Sequence, residues 1–207
     1  MRGLQVRVLL GVPLFSSMFI VFEGIDGTGK STQVKLLAEA FRAKGREVIV
    51  SKEPTDGPHG TRLRQSAETG RLSAQEELDL FHLDRREHVE TLINPALARG
   101  AVVILDRYYF STMAYQGIRG FDPRDIRKIN EKFAPPPDLV FILELNLDTA
   151  LSRIGIRDGQ ANEFEQRDAL QKCHDVFASL QDEFVRRIDA GRSPAEVHEE
   201  ISHYLDL

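Results

Sequence analysis

Short, continuously apolar runs alternate along the chain with stretches whose apolar positions recur every three or four residues. Phe19–Phe22, Ala101–Leu105 and Leu139–Leu143 are runs of the first kind, as is Glu47–Val50 after its leading glutamate. A strand covered on both faces shows no polar alternation, so each predicts a buried strand. Val185–Ile188 is a shorter candidate for a fifth. Between them, Ser31–Lys44 places Val34, Leu37, Ala38 and Phe41 on one helical face, with Gly45 just past its end. Ser73–Arg99 predicts a long helix that Pro95 bends and Gly100 stops. Asp122-Pro123 opens a helix expected to run to Pro135-Pro136-Pro137, and another is expected from Asp148 to about Arg157. Leu170, Cys173, Phe177, Leu180 and Phe184 share a face of one further long helix. Ser193-Pro194-Ala195-Glu196 has the form of a capping box and starts a last helix carrying Val197, Ile201 and Leu205. Glu53–Gly60, with two prolines and two glycines, is expected to be loop. The alternation predicts an α/β fold: a parallel sheet covered by helices on both faces and wound with right-handed crossovers.

A length of 207 residues suits one domain. The apolar stretch Val8–Phe22 is short and broken by Gly11, Pro13, Ser16 and Ser17, which argues against a membrane span. Arg2 and Arg7 precede it as in a signal peptide, but no small-x-small cleavage site follows. Residues 1–17 therefore read as an N-terminal extension ahead of a domain at 18–207, and a cytoplasmic location is expected. Lys and Arg number 27 against 32 Asp and Glu, a net charge of −5. That balance argues against a nucleic-acid polymer as partner, while leaving room for a small phosphorylated ligand in a locally basic pocket. The single cysteine, Cys173, excludes an intrachain disulfide and a Cys-rich metal cluster; its spacing assigns it to the core.

The strongest chemical signal is Gly24-Ile25-Asp26-Gly27-Thr28-Gly29-Lys30-Ser31, which fits G-x-x-x-x-G-K-[ST] between a predicted strand and a predicted helix. Glycines let the backbone curl so that successive N–H groups point at phosphate oxygens. The helix N-terminus adds partial positive charge, Lys30 adds a full one toward the β- and γ-phosphates, and the Ser31 hydroxyl can ligate Mg²⁺. Asp106 ends the third strand, where a carboxylate faces the ligand crevice of a parallel sheet; it could serve the metal or cap the next helix. Arg107 follows, either as a fork-shaped clamp on a second phosphate or as a surface ion pair. No Asn-Lys-x-Asp guanine reader is present, since Asn130-Glu131-Lys132 breaks that pattern. A small-molecule kinase is the first reading, and a nucleotide-dependent switch the alternative from another class.

Phe22-Glu-Gly-Ile-Asp-Gly-Thr-Gly-Lys-Ser-Thr-Gln33 resembles the opening of thymidylate kinases. Asp106-Arg107-Tyr108 with Ser111-Thr-Met-Ala-Tyr115-Gln116-Gly117 is similar to the same family, as is Leu80-Phe81-x-x-x-Arg85 followed by Ile93-Asn-Pro-Ala-Leu97. The resemblance implies a nucleoside-monophosphate-kinase fold on a five-stranded parallel sheet, ATP-dependent phosphorylation of dTMP with Mg²⁺, and a homodimer. It implies that Gly24–Thr32, including Thr32, holds ATP, with Arg153 against the adenine. It implies that Lys30, Asp106, Arg107 and Arg157 carry the transfer, with Ser31 and Asp106 at the metal. It implies further that Asp26, Glu53, Pro54, Phe81, Arg85, Arg107, Ser111, Tyr115 and Gln116 line the dTMP site. Phe81 would stack on thymine, Arg85 would contact the base, and Asp26 would reach the sugar 3′-hydroxyl or the metal shell. Spacing alone favours a core Phe81 and a solvated Arg85. Arg153 and Arg157 stand four apart at the base of an expected lid at about 157–163; as no arginine occupies residues 25–28, the lid is the expected source of transition-state charge.

The chain departs from the family pattern at Lys52-Glu53-Pro54-Thr-Asp-Gly-Pro-His-Gly60, where an arginine and a Gly-Gly-Thr turn are usual. A lysine does not replace an arginine fork, so a kinase with another nucleoside or nucleoside-monophosphate acceptor is the nearest alternative.

Overall fold

The computed structural model describes residues 16–70, 72–158 and 163–207, and no side chain at 67–68, 156–158 or 163–166. Strands β1 (Met18–Glu23), β3 (Val102–Asp106) and β4 (Leu139–Glu144) form the centre of a sheet. Every residue of β1 is buried, as are Val102 to Leu105 and Leu139 to Leu143, because the apolar runs meet helices on both faces. β2 (Val48–Lys52) and β5 (Val185–Asp189) are the half-buried edges. The order is β2-β3-β1-β4-β5 with every pairing parallel, so the expected five-stranded parallel sheet is present. β1 pairs β3 in a register that sets Phe22 beside Asp106. The order of winding reverses around β1, and the crevice at a reversal point, above the strands' carboxyl ends, is where such sheets hold ligands.

The helices are α1 (Lys30–Ala43), α2 (Pro58–Thr69), α3 (Ala74–His88), α4 (Asn94–Ala98), α5 (Tyr109–Gly117), α6 (Pro123–Asn130), α7 (Leu147–Asp158), α8 (Glu163–Ala178) and α9 (Pro194–His203). α1 packs with α9, while α5 packs with α3, α6 and α8. Capping boxes at Ser73 and Ser193 start α3 and α9, each serine accepting from the backbone N–H three residues on. Cys173 is buried in α8, where burial pushes its thiol up to about 12. None of the helices among the described residues is long and apolar enough to cross a membrane.

Four expected boundaries change. The Glu53–Gly60 stretch is not all loop: α2 begins at Pro58, which has no N–H to lose in a first helical turn. The long helix over 73–99 is broken by a π-helical turn at Val89–Ile93, placed immediately before Pro95, so the wider turn falls where the pyrrolidine ring disturbs the ladder. The helix from Asp122 stops at Asn130 rather than Pro135, because the Asn130 carbonyl closes a turn by accepting from Phe133 and Ala134. The face from Leu170 to Phe184 is not one helix: α8 ends at Ala178, and Leu180 is buried by the turn after it. The 1–17 extension lies, up to residue 15, outside the described residues.

Candidate active site

The loop from Gly24 to Gly29 joins β1 to α1. Gly24 has φ +134°, and a Cβ there would stand 2.5 Å from the Leu143 carbonyl oxygen, so the strand end admits no side chain. Ile25 enters the core and Thr28 turns inward to donate to the Ile25 carbonyl at 3.0 Å. Gly24, Ile25 and Thr28 thus shape the loop without lining its cavity. A cavity of about 280 Å³ is lined instead by Asp26, Gly27, Gly29, Lys30, Ser31 and Thr32, with Asp106, Arg107 and Arg153 at its rim. Lys30 is folded under the loop, where Nζ donates to the carbonyls of Gly24 (3.0 Å) and Ile25 (2.8 Å). A desolvated ammonium takes the nearest acceptors, and burial together with the Arg107 charge holds its pKa well below the lysine range. Arg153 reaches from α7 to donate to the Gly27 carbonyl at 3.2 Å. The Arg157 side chain and residues 159–162 of the expected lid lie outside the described residues.

Ser31 Oγ donates to Asp106 Oδ2 at 2.6 Å. Asp106 therefore faces the phosphate loop and does not cap α5. A hydroxyl and a carboxylate beside a phosphate cavity are hard oxygen donors and fit Mg²⁺, which takes few protein ligands and fills its shell from phosphates and water. No cluster of three or more His, Cys, Asp or Glu among the described residues forms a metal cage of its own.

A second cleft, of about 470 Å³, opens beside the first. Glu53, Pro54, Phe81, Arg85, Ser111, Tyr115 and Gln116 all line it, together with Asp26 and Arg107. Asp26 and Arg107 line both cavities and form the wall between them, Arg107 Nη2 donating to Asp26 Oδ1 at 2.7 Å. Burial raises the Asp26 carboxyl, but Arg107 and Lys30 outweigh it and hold the group below the usual carboxylate range. Arg107 has φ +75°, a left-handed conformation costing about 1–2 kcal/mol for a residue with a Cβ. Its N–H donates to the Phe22 carbonyl at 2.9 Å, and the guanidinium lies over Tyr115, 5.0 Å from the ring centroid. This is a partition between two cavities rather than a surface ion pair.

Arg85 is not a solvated charge. It is 1% exposed and held by Glu53 (Nε to Oε2, 2.8 Å), Asn130 (2.7 Å) and Thr112 (2.9 Å). Glu53 also meets His88 Nδ1 at 3.0 Å. The altered loop after Glu53 has its own anchor: buried Asp84 accepts from Thr55 N (2.8 Å) and Thr55 Oγ1 (2.6 Å), while Arg64 Nη1 donates to the Pro54 carbonyl at 2.9 Å. Gly60 lets the chain close on this anchor, since a Cβ there would lie 2.1 Å from the Thr55 carbonyl oxygen. Lys52, the departure from the family pattern, pairs with Asp56 and lines a cavity of about 320 Å³ that shares Ser31 and Asp106 with the phosphate-loop cavity and no residue with the Phe81 cleft.

Glu23 is a site residue that the sequence reading passed over. Buried at the end of β1, it accepts from Tyr108 N (2.8 Å), Ser111 N (3.1 Å) and Ser111 Oγ (2.6 Å). It thereby caps α5 from another element and fixes Ser111, which in turn accepts from Arg107 Nη1 at 2.8 Å. Burial pushes its carboxyl up to about 7. The available signal was a carboxylate closing an otherwise apolar strand directly before the phosphate loop. Glu77, Thr112 and Asn130 were also missed; their partners lie far away in sequence.

A sequence model of the thymidylate kinase family matches residues 22–201. A protein of Akkermansia muciniphila named thymidylate kinase is 53% identical over 188 residues, covering 91% of this chain and 91% of that one. Proteins of the same name from Xanthomonas campestris and Xanthomonas oryzae are 54% and 51% identical over 164 residues, each covering 79% of this chain and 72% of the relative.

Proposed function

The chain belongs to the thymidylate kinase family, and from that premise we infer that it transfers the γ-phosphoryl group of ATP to dTMP, giving dTDP and ADP. The observation that carries the reading is the pair of adjoining cavities with one shared wall. Phosphoryl transfer asks the protein for two anionic substrates held in line with their charge offset, and little covalent chemistry. The loop cavity suits the ATP phosphates: the loop's backbone N–H groups and Lys30 would bind the β- and γ-phosphoryl groups, and Arg153, which also lines it, would meet the adenine. Ser31 and Asp106 are the residues that would hold Mg²⁺, which offsets phosphate charge when bound.

The larger cleft suits a pyrimidine deoxynucleotide. Phe81 offers a ring face for stacking, Arg85 and Gln116 offer polar contacts to the base edge, and Tyr115 and Asp26 border the sugar. Arg107 lines both cavities, and its fork would orient the acceptor phosphate and the γ-phosphoryl group toward each other. An oxygen of the dTMP phosphate forms the new bond to the γ-phosphorus as the bond to the bridging oxygen of ADP breaks. That oxygen is already anionic, so no general base is needed. The homodimer expected from the resemblance is part of this proposal, and sedimentation of the purified chain is its check.

A coupled ADP-release assay tests the reading. Turnover with dTMP should exceed that with dCMP, dGMP, AMP or thymidine, and ADP release without an acceptor should be slow. Better turnover with another acceptor would move the substrate and leave the kinase; acceptor-independent hydrolysis would favour a switch. Lys30→Ala should lower kcat by about 10²–10³-fold, as expected for loss of one charged donor to a developing anion.

A further inference from the structure

We propose that Glu77 is a positioning residue that sets the base selectivity of the acceptor cleft by fixing which end of the Gln116 side-chain amide is free to meet the base. Gln116 is 1% exposed and lines the cleft with Glu77. Its Nε2 donates to Glu77 Oε2 at 2.8 Å, while its Oε1 is buried and has no hydrogen-bond partner. A glutamine amide is almost the same shape either way round, so its orientation is decided by what it faces. An ionised carboxylate only accepts; with Glu77 on one side, the NH₂ end must turn to it and the carbonyl oxygen is left over. Arg119 braces Glu77 on its other side: Nη1 pairs with Oε2, and Nη2 donates to the Leu72 carbonyl at 3.0 Å.

An orphaned buried acceptor is costly until something donates to it, and a ligand can be that donor. The 2,4-dioxopyrimidines, thymine and uracil, carry an imide N3–H and can donate to Oε1. Cytosine has a bare acceptor at N3 and cannot. Were the amide reversed, its NH₂ would suit cytosine. The selective element is therefore the carboxylate behind Gln116, which never touches the nucleotide. This inference rests on the reading that the cleft takes dTMP, and it reads the N3 edge and not the 5-methyl group.

The test is kcat/KM for dTMP, dUMP and dCMP in the wild type, Glu77→Gln, Gln116→Leu and the double variant. A glutamine at 77 can donate as well as accept, so the Gln116 amide is released. The dTMP:dCMP ratio should then fall by about tenfold or more, with the dTMP:dUMP ratio and the KM for ATP unmoved. In the Gln116→Leu background, Glu77→Gln should change the ratio no further, because it acts through the amide. Glu77→Asp, still acceptor-only, should keep the wild-type ratio even at reduced rate. An unchanged ratio in Glu77→Gln, or an equal fall with and without Gln116, overturns the proposal. If Glu77→Gln does not fold, Gln116→Leu decides: full retention of the ratio overturns the proposal as well. A wild type that does not prefer dTMP over dCMP would instead remove the parent reading.

Discussion

Glu23 shows how one side chain can organise a site without facing a substrate. It holds two backbone N–H groups and the Ser111 hydroxyl, and through Ser111 it sets Arg107. Its carboxyl is lifted from an ordinary 4.5 to about 7 by burial. Between those values the folded chain binds more proton than the unfolded one, so this group's contribution to stability falls as pH rises through that window. Glu23→Gln lacks the titration. The difference in melting temperature, variant minus wild type, should therefore move in the variant's favour as pH is raised from about 5 to about 8. A scan at several pH values checks the slope, which must be positive whatever the offset. Residue identity told little of this in advance: Gly24, Lys30 and Ser31 are legible because spacing alone fixes their task, whereas Glu23 gains its meaning from Tyr108 and Ser111, more than eighty residues later.

Elements were legible where burial is uniform. β1, β3 and β4 face helices on both sides, so their apolar runs have one reading. α2 was hidden because its start carries the prolines and glycines of a loop, and because its hold on the rest runs through polar pairs. The Thr55–Asp84 anchor fixes the turn before α2 against α3. Asp84→Ala would leave Thr55 N and Oγ1 without that partner, at a cost of about 1–3 kcal/mol. Since this turn carries Glu53 and Pro54 into the acceptor cleft, the KM for dTMP should rise while the KM for ATP stays level. Urea denaturation measures the first effect and initial rates the second. Lys52, whose departure from the family pattern cast doubt on acceptor choice when read as sequence, does not line the Phe81 cleft.

The molecule as a whole is a sheet whose carboxyl edge carries the phosphate-loop cavity and the larger cleft that share the Asp26–Arg107 wall. Saturating dTMP, at about 100 times its Kd, should stabilise the fold by about 2.7 kcal/mol. For a chain of this size that is a rise of about 5–10 °C in Tm by scanning calorimetry. Arg107→Ala should remove most of the rise, because the cleft loses its cation next to the phosphate. Which residues line the phosphate-loop cavity was readable from spacing, and those of the larger cleft only from the family resemblance. Which of them share a wall was not, since Asp26 and Arg107 meet across eighty-one positions of chain.

That shared wall has a thermodynamic corollary. A boundary made of one cation and one anion, bonded to each other and exposed to both compartments, passes a change of charge on one side to the other. Donor and acceptor affinities are then linked, and linkage is symmetric: whatever factor ATP lends to dTMP binding, dTMP must return to ATP.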